Sequence, residues 1–257
     1  MNCTKIVSRP VDVSPIRSPQ AIHTALLPQL RDRNVAEIGF RSGDDALCFA
    51  HVVNSLKAID IDKQSCLRLT NRLRARDASV ESARRKNASA FTTARVRNVE
   101  VSCAGYKAGG VLRDAEVITW WHDAPLVDPD IMEFLRRELL GQRIMTGAVA
   151  IMLHDLQSPR DRPSYLTLKQ FSDDEIKQLV VPFDEYRQCL KKIPKGHSPA
   201  LCRRARGQFA ATTMPVSRIN SSIVSSIRYA RAAAGISRYP ARKPREGWID
   251  SLVNKLG

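Results

Sequence analysis

The sequence predicts an α/β protein built on a doubly wound, mainly parallel sheet and followed by a basic, weakly structured C-terminal extension. Three observations lead there. Short apolar runs recur at 34–39, 56–61, 99–104, 115–121 and 148–153, helical periodicity fills several of the gaps, and a glycine turn follows the first run. Strands that alternate with helices need crossover connections, and crossovers make neighbouring strands parallel.

Residues 1–20 are polar and hold three prolines, which predicts a flexible leader, with order beginning near Ala21. The run N-V-A-E-I-G ending at Gly39 reads as a first strand, and Leu47, Ala50, Val53 and Leu56 then fall on one helical stripe. Residues 56–61 alternate into a second strand that stops at an acidic pair. Residues 64–76 follow as a helix with a basic outer face, completing a βαβα unit. Residues 77–98 predict a helix plus a loop, 99–104 a third strand, and 115–121 a fourth that is apolar enough to be buried on both faces. Asp128 can cap a helix that has Pro129 in its first turn, Ile131, Phe134, Leu135 and Leu139 on one face, and Gly141 at its end. A fifth strand spans 148–153. Beyond His154 the strand signals fade: Ser172 to Glu175 reads as a capping box opening a helix to about Val180, and a second helix is expected over 183–193 and a third over 221–234. These signals place a domain edge near Ile193, giving a leader (1–20), an α/β domain (21–193) and a basic extension (194–257).

Charge divides the chain in the same region. Residues 1–185 hold 26 basic and 24 acidic side chains, whereas residues 186–257 hold 15 and 2. A segment this cationic suits nucleic acid or another acidic partner, or else forms a solvated appendage. Arg203, Arg204, Arg206, Arg228, Arg231, Arg238, Arg242, Lys243 and Arg245 are interleaved with few aromatics, Tyr229 and Tyr239 among them, so phosphate contact is better served than base stacking. No apolar run reaches the roughly 18 residues of a membrane span, and residues 1–20 lack an apolar signal core, so a soluble, intracellular protein with no membrane partner is expected. The six cysteines form no C-x-x-C pair. Neither a disulfide framework nor a zinc ribbon is predicted, and a reducing compartment fits best. Cys189, His197 and Cys202 lack a fourth ligand at suitable spacing, so no metal site is expected.

The sharpest local feature is E-I-G-F-R-S-G over residues 37–43, between the first strand and the first helix. Glycines there let backbone approach a ligand, and the helix behind them offers N–H groups. Asp60 then ends the second strand, where an acid can accept hydrogen bonds from both hydroxyls of a ribose. The nicotinamide fingerprint G-x-G-x-x-G is not met, because Phe40 and Arg41 follow Gly39. Over about residues 34–153 these residues resemble the class I S-adenosylmethionine-dependent methyltransferases, which have a Rossmann-like fold. That resemblance implies that Glu37, Gly39 and Gly43 line the methionine end of S-adenosyl-L-methionine, that Asp60 binds its ribose, and that Ile61 lies against the adenine. It further implies that Cys103 and Ala104 flank the adenine and that Trp120 to Pro125, after the fourth strand, form the catalytic edge. The sequence departs from the family pattern at Arg41, where the commonest turn has glycine, and at Cys103, where an acid is frequent.

His122 and Asp123 follow the fourth strand at its carboxyl end, where open α/β sheets bind ligands. A neutral imidazole there can act as general base with Asp123 orienting it, provided the chain turns so that both face one pocket. The tryptophans also suit core packing. His154 and Asp155 are secondary candidates on the same edge. The Asn-Pro-Pro-Tyr motif of amino methyltransferases acting on adenine or glutamine is absent. The leading expectation is methyl transfer to an N or O acceptor of unknown identity. The alternative is a non-catalytic, methyltransferase-like protein that binds nucleic acid or serves assembly.

Overall fold

The computed structural model describes residues 1–7, 19–86, 98–121, 127–155, 177–184, 186–192, 198 and 206–225. Helices α1 (Cys3–Ile6) and α2 (Gln20–Leu30) precede strand β1 (Asn34–Ile38), and α3 (Asp44–Phe49), β2 (Ser55–Ile59), α4 (Lys63–Lys86), β3 (Val99–Ser102) and β4 (Val117–Trp121) follow. Next come α5 (Val127–Leu140), β5 (Val149–Asp155), β6 (Lys177–Asp184), α6 (Tyr186–Lys192) and β7 (Arg206–Pro215). The seven strands form one sheet in the order β3-β2-β1-β4-β5-β7-β6. All pairings from β3 across to β5 are parallel, and β7 runs antiparallel to both β5 and β6.

Alternation along the strands sends side chains to two separate cores, as a doubly wound sheet requires. Val35, Leu56, Val117 and Ile151 pack with residues of α1 to α4 on one face. Ala36, Ile59, Ile118, Trp120, Ala150 and Met152 pack with Ile131, Met132 and Leu135 of α5 on the other, and Ile223 and Val224 of a helical segment at residues 221–225 join them. The predicted α/β class and mainly parallel sheet are thus found.

Several local expectations are corrected. The first helix after the turn ends at Phe49 rather than Leu56, because the amide of Asn98 donates to the carbonyls of Ala50 and Val53 and holds the chain in a turn. The leader contains α1: Asn2 caps it through a bond from the Thr4 N–H, and the Cys3 N–H donates to the Thr24 hydroxyl of α2. Val180, expected to end a helix, lies in β6, where Leu179, Val181 and Phe183 are buried or half-buried and Val180 and Pro182 are exposed. That period of two is a strand's, and its place at the sheet edge is where proline is tolerated. The capping box at Ser172 lies outside the described residues.

The sheet also runs past the expected edge near Ile193, since β7 lies between β5 and β6. Its residues are of mixed strand propensity, Phe209 and the threonines favouring a strand and the alanines not, but Phe209, Ala210, Ala211, Thr212 and Met214 are all buried, so tertiary packing decides its state. Finally, cysteines far apart in sequence pair. Cys3 bonds Cys48 with Cα atoms 5.3 Å apart, and Cys66 bonds Cys103 with Cα atoms 5.9 Å apart. This overturns the expectation of no disulfides, which rested on spacing alone; the fold brings together residues 45 and 37 positions apart.

Candidate functional site

The carboxyl ends of β1 and β2 carry the predicted motif. Glu37 is the penultimate residue of β1 and only 2% exposed. Three residues then alternate into the left-handed region: Gly39 (φ 76°), Arg41 (φ 54°) and Gly43 (φ 77°). Arg41 therefore keeps the backbone of a glycine while carrying a long cationic side chain, a conformation uncommon for non-glycine residues. The Gly39 N–H donates to the Ile59 carbonyl at 2.7 Å, which ties the turn to β2, and the Gly43 N–H donates to the Phe40 carbonyl at 2.8 Å.

The two glycines differ in what a side chain would meet. At Gly43 a Cβ would lie 2.5 Å from Leu69 Cδ1, so this glycine lets α4 pack against the start of α3. At Gly39 a Cβ would meet nothing within 4 Å. Open space beside a left-handed glycine is what a ligand approaching the backbone needs.

Helix α4 braces this turn. Arg68 donates to the Ser42 hydroxyl, Arg72 to the Ser42 carbonyl and the buried Asp44 carboxylate, and Arg76 to the Leu47 carbonyl. These arginines recur every four residues, so the stripe expected to face solvent instead clamps the turn and α3. Helix α3 is six residues long and has Asp44 and Asp45 in its first turn; Asp45 itself accepts from the Ala46 N–H. Its N-terminus is thus supplied with acids from within, contrary to the expectation that it offers N–H groups to a ligand.

Asp60 stands beside the turn, half-buried. Its Oδ2 accepts from the Arg41 N–H at 3.1 Å and its Oδ1 from the Asp62 N–H at 2.9 Å. Asp62 caps α4 by accepting from the Ser65 hydroxyl and the N–H groups of Gln64 and Ser65, and these bonds, the hydroxyl's foremost, hold its carboxyl below the usual range. Between them Ile61 is 77% exposed, an apolar platform at the end of β2. A Cβ at Gly105, in the loop after β3, would lie 3.7 Å from the Ile61 side chain. The structure therefore brings Glu37, Gly39, Arg41, Asp60, Ile61 and the loop holding Cys103 and Ala104 to one edge of the sheet, with the Cys103 sulfur bonded to Cys66.

Other candidates fall elsewhere. Trp120 is 1% exposed within the α5-side core, so it packs rather than opening to the edge. His154 is buried, its Nε2 3.5 Å from the Thr212 hydroxyl. His122 and Asp123 lie outside the described residues, immediately after Trp121. Sequence reasoning missed His23, buried on α2 with its ring edge-on to Phe49 and Trp121 at 5.5 and 5.8 Å. Burial lowers its pKa to about 3, and neither ring nitrogen has a hydrogen-bond partner among the described residues. Its signal was the helical spacing with Leu26, Leu27 and Leu30.

No protein-family model matches the chain, and no curated protein matches it. Among solved structures, the precorrin-6y C5,15-methyltransferase from Geobacter metallireducens aligns over 81% of this chain and 95% of its own, with a TM-score of 0.50 and 12% identity. A dimethyladenosine transferase from Plasmodium falciparum aligns over 80% of this chain and 66% of its own, with a TM-score of 0.46 and 14% identity. An rRNA methylase from Streptococcus thermophilus aligns over 80% of this chain and 99% of its own, with a TM-score of 0.43 and 14% identity.

Proposed function

We propose, from a chain that has the Rossmann-like fold of the class I methyltransferases, that it binds S-adenosyl-L-methionine and transfers a methyl group to an N or O acceptor. The carrying observation is the turn with left-handed residues 39, 41 and 43, open at Gly39 and flanked by Glu37 and the Asp60 carboxylate. Gly39 and Glu37 would hold the methionine end, Asp60 the ribose hydroxyls, and Ile61 with Cys103 and Ala104 the adenine. Gly43 serves this set indirectly, by letting α4 lock the turn. When bound, the group supplies a methyl already activated on a sulfonium, so the protein's task is largely positioning. His122 and Asp123, just past β4, are proposed as the base and its orienting acid. An intracellular setting, expected from the sequence, is part of the proposal; among the described residues no helix is long and apolar enough to cross a membrane.

Calorimetric titration with S-adenosylhomocysteine tests the reading. Saturable binding by the parent, lost in Gly39→Val with the melting temperature largely kept, supports it; no binding by the parent refutes it. One observation favours a second reading, a non-catalytic protein that binds nucleic acid or another acidic partner through residues 186–257: Arg41 sets an exposed cation in the turn where the family commonly has glycine. Nucleic-acid binding without cofactor binding in the same titrations would select it.

A further inference from the structure

The loop after β3 is tied to the start of α4 by the bond between Cys66 and Cys103. Cys66 is buried in the first turns of α4, and its sulfur lies 3.6 Å from the main-chain carbonyl oxygen of Asp60. Cys103 is exposed at the end of β3. The pair therefore ties the loop proposed for the adenine to the start of α4, where the Cys66 sulfur lies beside the main chain of the residue proposed for the ribose. With the link in place, a Cβ on Gly105 would lie 3.7 Å from the Ile61 side chain, so the Gly105 Cα lies within about 5 Å of it. A flat ring between two surfaces needs a carbon contact of about 3.5 Å on each side, so about 7 Å in all. The slot between Ile61 and the loop is closed to that thickness.

We propose that Cys66 and Cys103 form a reversible thiol–disulfide site that closes the adenine side of the cofactor pocket when oxidised. The inference rests on the cofactor reading above. Low-molecular-weight disulfides such as glutathione disulfide are the oxidant class. The exposed Cys103 thiolate attacks one sulfur of the reagent and releases one thiol, forming a mixed disulfide. The Cys66 thiolate then attacks the Cys103 sulfur and releases the second thiol. Two protein thiols and one disulfide thus give one protein disulfide and two small thiols, with both protons leaving to the released thiolates. In the reduced state the Cys66 S–H donates to the Asp60 carbonyl, and the loop after β3 is free to move off Ile61.

The test is S-adenosylhomocysteine titration of the full chain after treatment with dithiothreitol or with glutathione disulfide, with peptide mass spectrometry to confirm the Cys66–Cys103 link. The dissociation constant is expected to rise at least tenfold on oxidation and to return on reduction. Cys66→Ser, and Cys66→Ala should the serine variant misfold, is expected to abolish that response while the Cys3–Cys48 bond still forms. Equal affinity in the two states within twofold, no linked peptide after oxidation, or a full response in the Cys66 variants would overturn the proposal. Absence of binding in both states would instead remove the cofactor reading beneath it.

Discussion

Asp60 and His23 show how much one side chain carries. The Asp60 carboxylate already accepts two main-chain N–H bonds, one on each oxygen, which fix its orientation beside the turn. Asp60→Ala should weaken S-adenosylhomocysteine binding by about 2–4 kcal/mol, as expected for losing two charge-assisted hydrogen bonds. Unchanged calorimetric affinity would remove Asp60 from the site. His23 makes a prediction about pH. Its folded pKa of about 3 lies below its ordinary 6.5, so the unfolded chain binds the proton more readily. Its contribution is therefore fully present above pH 6.5 and is lost as pH falls toward 3, at about 1.4 kcal/mol per pH unit. His51, lowered to about 4 by burial and by Arg76, acts in the same direction. Urea midpoints measured at about pH 7 and about pH 5 should diverge less in His23→Leu than in the parent. Equal divergence would mean the ring is not buried uncharged.

Among the elements, the packing of α4 on the turn is the most consequential. Asp44 is fully buried and ion-paired with Arg72. Arg72→Met should cost about 3–5 kcal/mol in chemical denaturation, because a buried carboxylate is left uncompensated, and adding Asp44→Leu should recover much of that loss. Gly43→Ala should destabilise the fold by about 1–3 kcal/mol more than Gly39→Ala, since only the former drives a methyl into Leu69. Comparable destabilisation by the two would contradict that close packing. This brace was half legible in the sequence. The basic period of α4 was plain, but its direction depends on where α3 sits, and periodicity alone cannot tell a solvent face from one that hydrogen-bonds a neighbour. The turn itself was read well, because an acid, two glycines and a later acid at the right spacing impose a local backbone shape. β7 was not, because its small and polar residues show no apolar alternation, and the buried stretch from Phe209 to Thr212 is explained only by the strands on either side. The cysteine bonds were invisible for the same reason.

For the whole molecule, the charge asymmetry still requires a role. Part of the basic segment is β7, so removing everything after Ile193 would take a strand from the sheet. Removing residues 226–257 leaves the sheet's strands whole and deletes seven basic side chains. If that segment binds phosphates, the truncated chain should bind single-stranded nucleic acid more weakly, with a log–log salt slope shallower by about 0.7 for each phosphate it no longer neutralises. An identical slope, measured by fluorescence anisotropy across a salt series, would exclude the segment from the nucleic-acid interface. S-adenosylhomocysteine affinity should be equal in both forms.

The reversed order of the last two strands bears on how the chain is made. β6 emerges from the ribosome before β7, yet its place in the sheet is bridged to β5 only by β7. A nascent chain ending short of Arg206 holds β5 with a vacant edge and β6 without its partner, two surfaces prone to pair with the wrong neighbour. Completion waits for β7 to enter between strands already synthesised, a long-range pairing of the kind that slows folding. A stall late in translation would therefore leave the first five strands able to pair and the closing seam exposed.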